Sequence, residues 1–556
     1  NTQTCSGVNG LMRMPPPAAL VAVGVCSRCS HGRDVLYFLE DVSVSIRLPA
    51  LISSGMVLQR NAEVRIWGWA DETVSVSFLG RTEIAKPDVE GNWVVKFSDL
   101  WVGGPFQMNV NNITLTDVYV GDVWLCSGQS NMEFPMARCK HMYPEEMSRE
   151  TEYMKYIRQF TVPMRQEFKA PLDDPQGEWI GAGKDTIDNF SAAGYFFASR
   201  MFERYMIPIG LLLCAIGGTR VHTWMSRGSL EDYPELAAEA DKYADDAVLL
   251  AAQTEELEVT EAFFKGLDER DLGLAENWFS EDYADAEWDS RDLLQPWKGT
   301  GSTWFRKTVE IPPEWDGKEA VLFLGSVKDW DMVYVNGIPV GNTTYRWPPR
   351  EYDIPKLKAG GCVIAARIIS IGDGWFTRNK QYLLSTHEGS IDLNGQWKFR
   401  IGATAAPPKE TVRSYYLPVC LYNGMLHPLR NYVIKGALWY QGESDADNLP
   451  RGYADKFEIM VNTWRKDWGY DFPVVFTQLA HWGEGDWDAL REQQRLCLRI
   501  PNTAMAAAFD LGEDNDLHPQ NKQPIGDRLA RCAMRLAYGE ELPLSPNEIL
   551  GVRKRG

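Results

Sequence analysis

Five near-continuous apolar runs constrain this chain most: VGDVWLCS at 120–127, IPIGLLLCA at 207–215, IKGALWYQ at 434–441, FPVVFTQLA at 472–480 and TAMAAAFDLG at 503–512. Runs without polar alternation suit strands buried on both faces, as parallel strands are once helices cover them. Helical candidates lie between or after these runs, at 189–206, 452–466, 485–498 and 524–538. The pattern predicts a three-layer α/β core whose strands come from two separated blocks, 118–240 and 406–545.

The tract between the blocks follows a different rule. Residues 275–405 show strand-like alternation in WFRKTVEIP, EAVLFLG, DMVYVNGIPVG and CVIAARIIS, and hold nine tryptophans. An all-β unit inserted into the α/β core is the economical reading, since insertion needs only one surface loop whose ends lie close together. The acidic stretch 241–274 reads as a helical connector with a solvated face. Residues 45–117, with EVRIWGWA, TVSVSFLG and NWVVKFSD separated by turn residues, read as a small antiparallel β-sandwich. A chain of 556 residues needs several such units, because one core stops growing at roughly 250 to 300 residues. Residues 1–44 are left unassigned, disordered or targeting: RMPPPAALVAVGVCS has a short apolar run but the prolines fit no clear signal peptide. Residues 546–556 read as a tail.

Charge narrows the partners. A formal net charge of −19 and short basic runs argue against nucleic acid. No apolar run approaches the roughly 20 residues of a membrane-spanning helix. Of ten cysteines only Cys26 and Cys29 are close, and a lone CxxC is weak support for a metal. No metal or cofactor is expected. The 21 tryptophans offer flat faces for sugar rings, although core filling accounts for most of them.

Chemistry concentrates at strand ends. In VYVGDVWLCSGQSNMEFPM, Gly128 permits a sharp strand-to-helix turn and Ser130 follows it, either as a helix cap or as a nucleophile whose own N–H can serve an oxyanion. In CAIGGTRVHTW, Gly217 and Gly218 form either a plain turn or a close backbone approach to a ligand. In DLGEDNDLHPQNKQPIGDRLA, His518 stands beside Asp516, with Asp510 and Asp514 near, and a histidine flanked by carboxylates is a sound general base. In WYQGESDADN, the Gln441 amide can supply an oxyanion donor, while Glu443 is a second carboxylate, a surface charge or, preferably, a loop organiser.

The segments GDVWLCSGQSNMEFPM, IGGTRVHTWM, LYNGMLHPL, IKGALWYQGESDA and DLHPQNKQPIGDRLA, in this order, resemble the sialate O-acetylesterase family within the SGNH (GDSL-like) serine hydrolases. The similarity runs over about residues 48 to 540 and includes LPALISSGMVLQRNAEVRIWGWA and the β tract. It implies a flavodoxin-like SGNH hydrolase core, an N-terminal β-sandwich and an inserted jelly-roll β domain of sugar-binding type. It further implies removal of acetyl esters from O-acetylated carbohydrate without a metal, in a secreted or periplasmic setting. Carried onto this chain, the nucleophile falls on Ser130, the base on His518, the acid on Asp516, and the oxyanion donors on Ser130, Gly218 and Gln441, with Glu443 in support.

The chain also departs from the pattern. Most SGNH enzymes set the acid three residues before the histidine, where Asn515 stands here, so Asp510 and Asp514 remain alternatives to Asp516. Asp445 stands where many relatives have asparagine, and His222 where many are acidic. Two other functions stay open: an acetyl xylan esterase of the same fold, and an inactive carbohydrate-binding protein, which the joint presence of Ser130, His518 and Asp516 disfavours. The absence of a G-x-S-x-G elbow speaks against a lipase. Oligomeric state stays open.

Overall fold

The computed structural model describes residues 46–148, 153–446, 452–482, 487–513 and 516–543. Expectations for residues 1–44, for the tail 546–556, for Cys26 and Cys29 and for Asp514 and Asn515 lie outside the described residues. The fold is mixed α/β with several sheets.

Its axis is the 16-residue strand Ile113–Gly128. The second half of this strand is buried residue after residue and sits at the centre of a sheet whose order is 178–181, 157–161, 209–215, 113–128, 436–440, 474–477, 503–506. All neighbours in that order run parallel except Glu178–Gly181, which is antiparallel to Ile157–Thr161. The apolar runs read from the sequence are these central strands. Two blocks of chain about 200 residues apart therefore meet in one sheet, with Gly436–Tyr440 paired directly to Trp124–Gly128.

Helices cover both faces of the sheet. Gly436 is in register with Trp124 and Trp439 with Ser127, so Trp124 and Trp439 point to opposite faces. Trp124 meets Phe197 of the helix Ala192–Tyr205, with ring centroids 5.1 Å apart. Trp439 meets Trp464 of the helix Tyr453–Trp468 at 5.6 Å. The helix Gln523–Tyr538 packs closely on the first of these: a Cβ at Gly526 would lie 2.5 Å from the Phe196 Cβ, so only glycine lets the two helices approach.

The first half of the long strand belongs to a different neighbourhood. It pairs antiparallel with Gly103–Val110 and parallel with Val57–Gln59. Asp117, at φ 60°, lies at a register shift against Gly103–Val110, between the pairs Met108–Leu115 and Phe106–Val118. Beside it lies a three-stranded sheet of Ile46–Arg47, Val64–Ala70 and Asn92–Phe97, whose last strand alternates exposed positions with buried Trp93, Val95 and Phe97. The tract before residue 118 is thus mainly antiparallel β structure, with Val57–Gln59 paired parallel, fused to the core through a shared strand.

The acidic connector is helical, at Pro234–Tyr243 and Asp246–Asp268. Beyond it the chain forms two antiparallel sheets, six strands in the order 289–292, 396–404, 301–311, 360–370, 330–335, 338–343 and four in the order 351–354, 320–324, 382–386, 389–392. Phe305, Leu322, Ile364, Leu384 and Trp397 belong to a core of their own, separate from that of the parallel sheet. No described helix is long and apolar enough to cross a membrane.

Candidate active site

Three loops meet at the carboxyl ends of the central strands. The strand Ile113–Gly128 ends at a glycine with φ 134°, where a Cβ would lie 2.2 Å from the Tyr440 carbonyl oxygen. Gln129 N–H donates to that same carbonyl at 3.0 Å, and the chain turns into the one-turn helix Ser130–Glu133. Ser130 is half-buried, and its Oγ lies 2.6 Å from Nε2 of His518.

His518 itself is 3% exposed. Its basicity falls well below the ordinary imidazole range, first because burial penalises the cation and then because Lys522, Arg138 and Arg346 surround it with positive charge. Its Phe134-facing ring stands 6.3 Å from that phenyl ring, and Trp347 closes the other side edge-on at 5.3 Å. Trp347 comes from the inserted β tract, so that tract walls the site.

Asp516 is placed beside the histidine but not on its ring. One carboxylate oxygen accepts the backbone N–H of His518 at 2.8 Å, and the other lies 2.8 Å from Nζ of Lys380, also from the β tract. Lys380 holds Glu513 as well. Burial raises the Asp516 pKa, and the Lys380 ammonium opposes that shift. The Nδ1 of His518 is buried and has no hydrogen-bond partner among the described residues. Of the alternative acids, Asp510 forms a two-pronged pair with Arg528 at 2.6 and 2.7 Å.

The Gln441 amide differs from the sequence expectation of an oxyanion donor. Its Nε2 donates to the Thr219 carbonyl at 3.0 Å and to Asp445 at 2.6 Å, which occupies both hydrogens. Asp445, one helical turn on, captures the amide and also accepts the Val221 N–H at 3.0 Å. Gln441 therefore ties the loop after residue 215 to the loop after residue 440. Gly218, at φ 78°, packs on Tyr416, whose hydroxyl lies 2.2 Å from where a Cβ would stand. Gly217 is the glycine against Ser130, with 3.3 Å from its would-be Cβ to the serine Cβ. The N–H groups of Ser130 and Gly218 donate to no acceptor among the described residues.

Glu443 organises loops. Its carboxylate accepts the Asn131 side-chain amide at 2.5 Å, and the same amide donates to the Leu517 carbonyl at 3.1 Å. Lys522 caps the Asn131 oxygen from a fully buried position. Burial pushes the Lys522 ammonium down to about 8, and Glu443 opposes this. Asn131 and Lys522 thus bind the serine loop to the histidine loop. Both lie inside the quoted motifs, one residue after Ser130 and four after His518, but motif reading gave them no role. Lys380 and Trp347 carry no signal in the sequence at all. His222 follows Val221 on the loop after residue 215, buried against the Tyr416 carbonyl at 3.3 Å, and its pKa is pushed down to about 4 by burial.

Residues 120–256 and 411–535 match the family described as carbohydrate esterase, sialic acid-specific acetylesterase. The sialate O-acetylesterase of Rattus norvegicus is 24% identical over 95% of this chain and 79% of its own length. That of Mus musculus is 23% identical over 90% of this chain and 75% of its own. The crystal structure of a carbohydrate acetylesterase from Xanthomonas citri superposes with a TM-score of 0.54 at 23% identity, covering 89% of this chain and 76% of that one, a likeness of fold.

Proposed function

This chain is a carboxylic ester hydrolase of the sialic acid-specific acetylesterase family of carbohydrate esterases, and from that premise we propose that it removes O-acetyl groups from sialic acids through an acetyl-enzyme on Ser130. The observation that carries this reading is the 2.6 Å contact between Ser130 Oγ and His518 Nε2. A serine hydroxyl is a poor nucleophile until a neutral base adjoins it, and a buried imidazole depressed in pKa is neutral at physiological pH. His518 takes the serine proton as Oγ attacks the acetyl carbonyl, then returns it to the departing sugar hydroxyl. Water repeats the cycle and releases acetate.

The N–H groups of Ser130 and Gly218 serve the oxyanion in this scheme, because they are free of other acceptors among the described residues. Gln441 acts at one remove by holding the Thr219 carbonyl. Asp516 steadies the histidine loop through the His518 N–H. We read the parallel sheet with helices on both faces as an SGNH-type three-layer core, and the paired antiparallel sheets as an inserted jelly roll. A secreted or periplasmic setting goes with this reading.

The test is Ser130→Ala. Acetate release from p-nitrophenyl acetate and from O-acetylated sialic acid is expected to vanish while the melting temperature stays near that of the parent. Full activity in that variant moves the nucleophile elsewhere. Run beside it, acetylated xylan and acetylated mannan decide the substrate class: faster release from xylan makes the chain a plant-polysaccharide esterase of the same mechanism.

A further inference from the structure

Glu133 sits one helical turn after Ser130 and on the same face of their short helix. The residue is exposed, and neighbouring protein partly desolvates its carboxyl and raises its pKa. One carboxylate oxygen, Oε2, accepts the Gly217 N–H at 2.7 Å. Gly217 touches both neighbours: its would-be Cβ lies 3.2 Å from that oxygen and 3.3 Å from the Ser130 Cβ. The carboxylate is therefore anchored by one oxygen beside the reacting hydroxyl, and Oε1 has no assigned donor among the described residues.

Arg138 lies near enough for its charge to lower the Glu133 pKa against the desolvation that raises it. Its guanidinium stands 5.9 Å from the Phe134 ring, which itself adjoins His518, and 5.2 Å from the ring of Tyr345. It makes no ion pair within 4.0 Å among the described residues, although its charge bears on Glu133, on Tyr345 and on His518. Tyr345, on the loop of the inserted β tract that also carries Trp347, is 37% exposed. The Gly217 contact accounts for Oε2 of Glu133 alone, and the Phe134 and Tyr345 rings hold the Arg138 guanidinium in place without giving it a carboxylate partner.

We infer that Glu133, Arg138 and Tyr345 form a polyol subsite on the leaving-group side of Ser130. It takes two neighbouring free hydroxyls of the acetylated sugar: one donates to the Glu133 carboxylate, the other accepts from the Arg138 guanidinium, and the carbon skeleton lies on the tyrosine ring. A vicinal diol matches the two charged groups because it offers a donor and an acceptor a few ångströms apart and so reproduces the hydrogen bonds of the waters it displaces. The inference rests on the acetylesterase reading of Ser130 and deepens it. The ligand class is an O-acetyl polyol with a free diol near the ester.

The experiment compares glycerol 1-monoacetate, which carries such a diol, with n-propyl acetate, which has no hydroxyl. For the parent chain, kcat/KM on the diol ester is expected to exceed that on the propyl ester by about ten-fold or more. Glu133→Ala and Arg138→Met should each cut that ratio by about ten-fold, with Glu133→Gln and Arg138→Lys intermediate. Should a truncation fail to fold, the conservative variant decides. A parent ratio near one, or a ratio that no variant moves, overturns the subsite. Ser130→Ala separates the two claims: turnover surviving in that variant sinks the acetylesterase reading, whereas a dead serine variant with an unmoved ratio sinks the subsite alone.

Discussion

A base that must be neutral to work gains range when its surroundings resist protonation. His518 is buried and ringed by Lys522, Arg138 and Arg346, all of which disfavour the imidazolium. The sign follows directly: with its folded pKa below the ordinary value of about 6.5, the histidine stays unprotonated as pH falls past that value. The acid limb of kcat/KM on p-nitrophenyl acetate is therefore expected below pH 6.5, and a limb at or above it contradicts the environment described for this ring. Ser130 and His518 were legible as a pair because the chain offers only seven histidines, and one of them follows a strand end amid carboxylates. The acid was less so. Adjacency in sequence put Asp516 next to His518, but the carboxylate turns to the backbone N–H and to Lys380, a residue 136 positions earlier that no local pattern could have nominated. The Gln441 amide was no easier to read: a strand-end amide can face a ligand or a neighbour, and its Nε2 bonds Asp445 one turn on.

Among the elements, periodicity worked where burial was uniform. Runs without alternation gave the central parallel strands, and the strict alternation of Asn92–Phe97 gave a half-buried one. Periodicity could not say that Ile113–Gly128 is one strand shared by two neighbourhoods, because the change of partners after Gly121, where pairing with Val57–Gln59 gives way to pairing with Ile209–Ala215, leaves no gap in the pattern. Nor could it show that the loop 345–349 of the inserted tract reaches His518. That loop is held by Arg350, 1% exposed, which donates to the carbonyls of Tyr345 at 3.1 Å, Arg346 at 3.0 Å and Pro348 at 2.6 Å, and pairs with buried Asp331 at 2.6 Å. Replacing it by methionine leaves Asp331 uncompensated and those carbonyls unpaired. Arg350→Met is expected to cost about 3 to 5 kcal/mol in urea unfolding and to depress turnover of sugar esters through the displaced Trp347. Lysine should not restore it, since one ammonium cannot span acceptors that a planar fork reaches together. A loss below about 1 kcal/mol would show that the loop is held by something else.

At the scale of the whole molecule, the question is what makes separate β and α/β regions one folded body. The long strand supplies the covalent link, and Asp122 at its middle supplies the polar one. This carboxylate, 0% exposed, accepts Gln59 Nε2 at 2.8 Å, Arg60 at 3.0 and 2.9 Å, and the Tyr538 hydroxyl at 2.6 Å. Its partners come from the end of the strand Val57–Gln59, from Arg60 just after it and from the end of the helix Gln523–Tyr538, so a single side chain joins the β region, the central sheet and that helix. Removing its charge leaves the Arg60 guanidinium, itself only partly exposed, without its counter-ion. Asp122→Asn is therefore expected to destabilise the chain by about 3 kcal/mol. Because Arg60 supplies two of the four contacts, much of that loss should already be present in Arg60→Met. The double variant should then fall short of the sum of the single losses by about 1 to 2 kcal/mol in denaturant unfolding. Strict additivity would mean that the carboxylate and the guanidinium stabilise their own regions independently, and that the shared strand alone couples the two parts of the molecule.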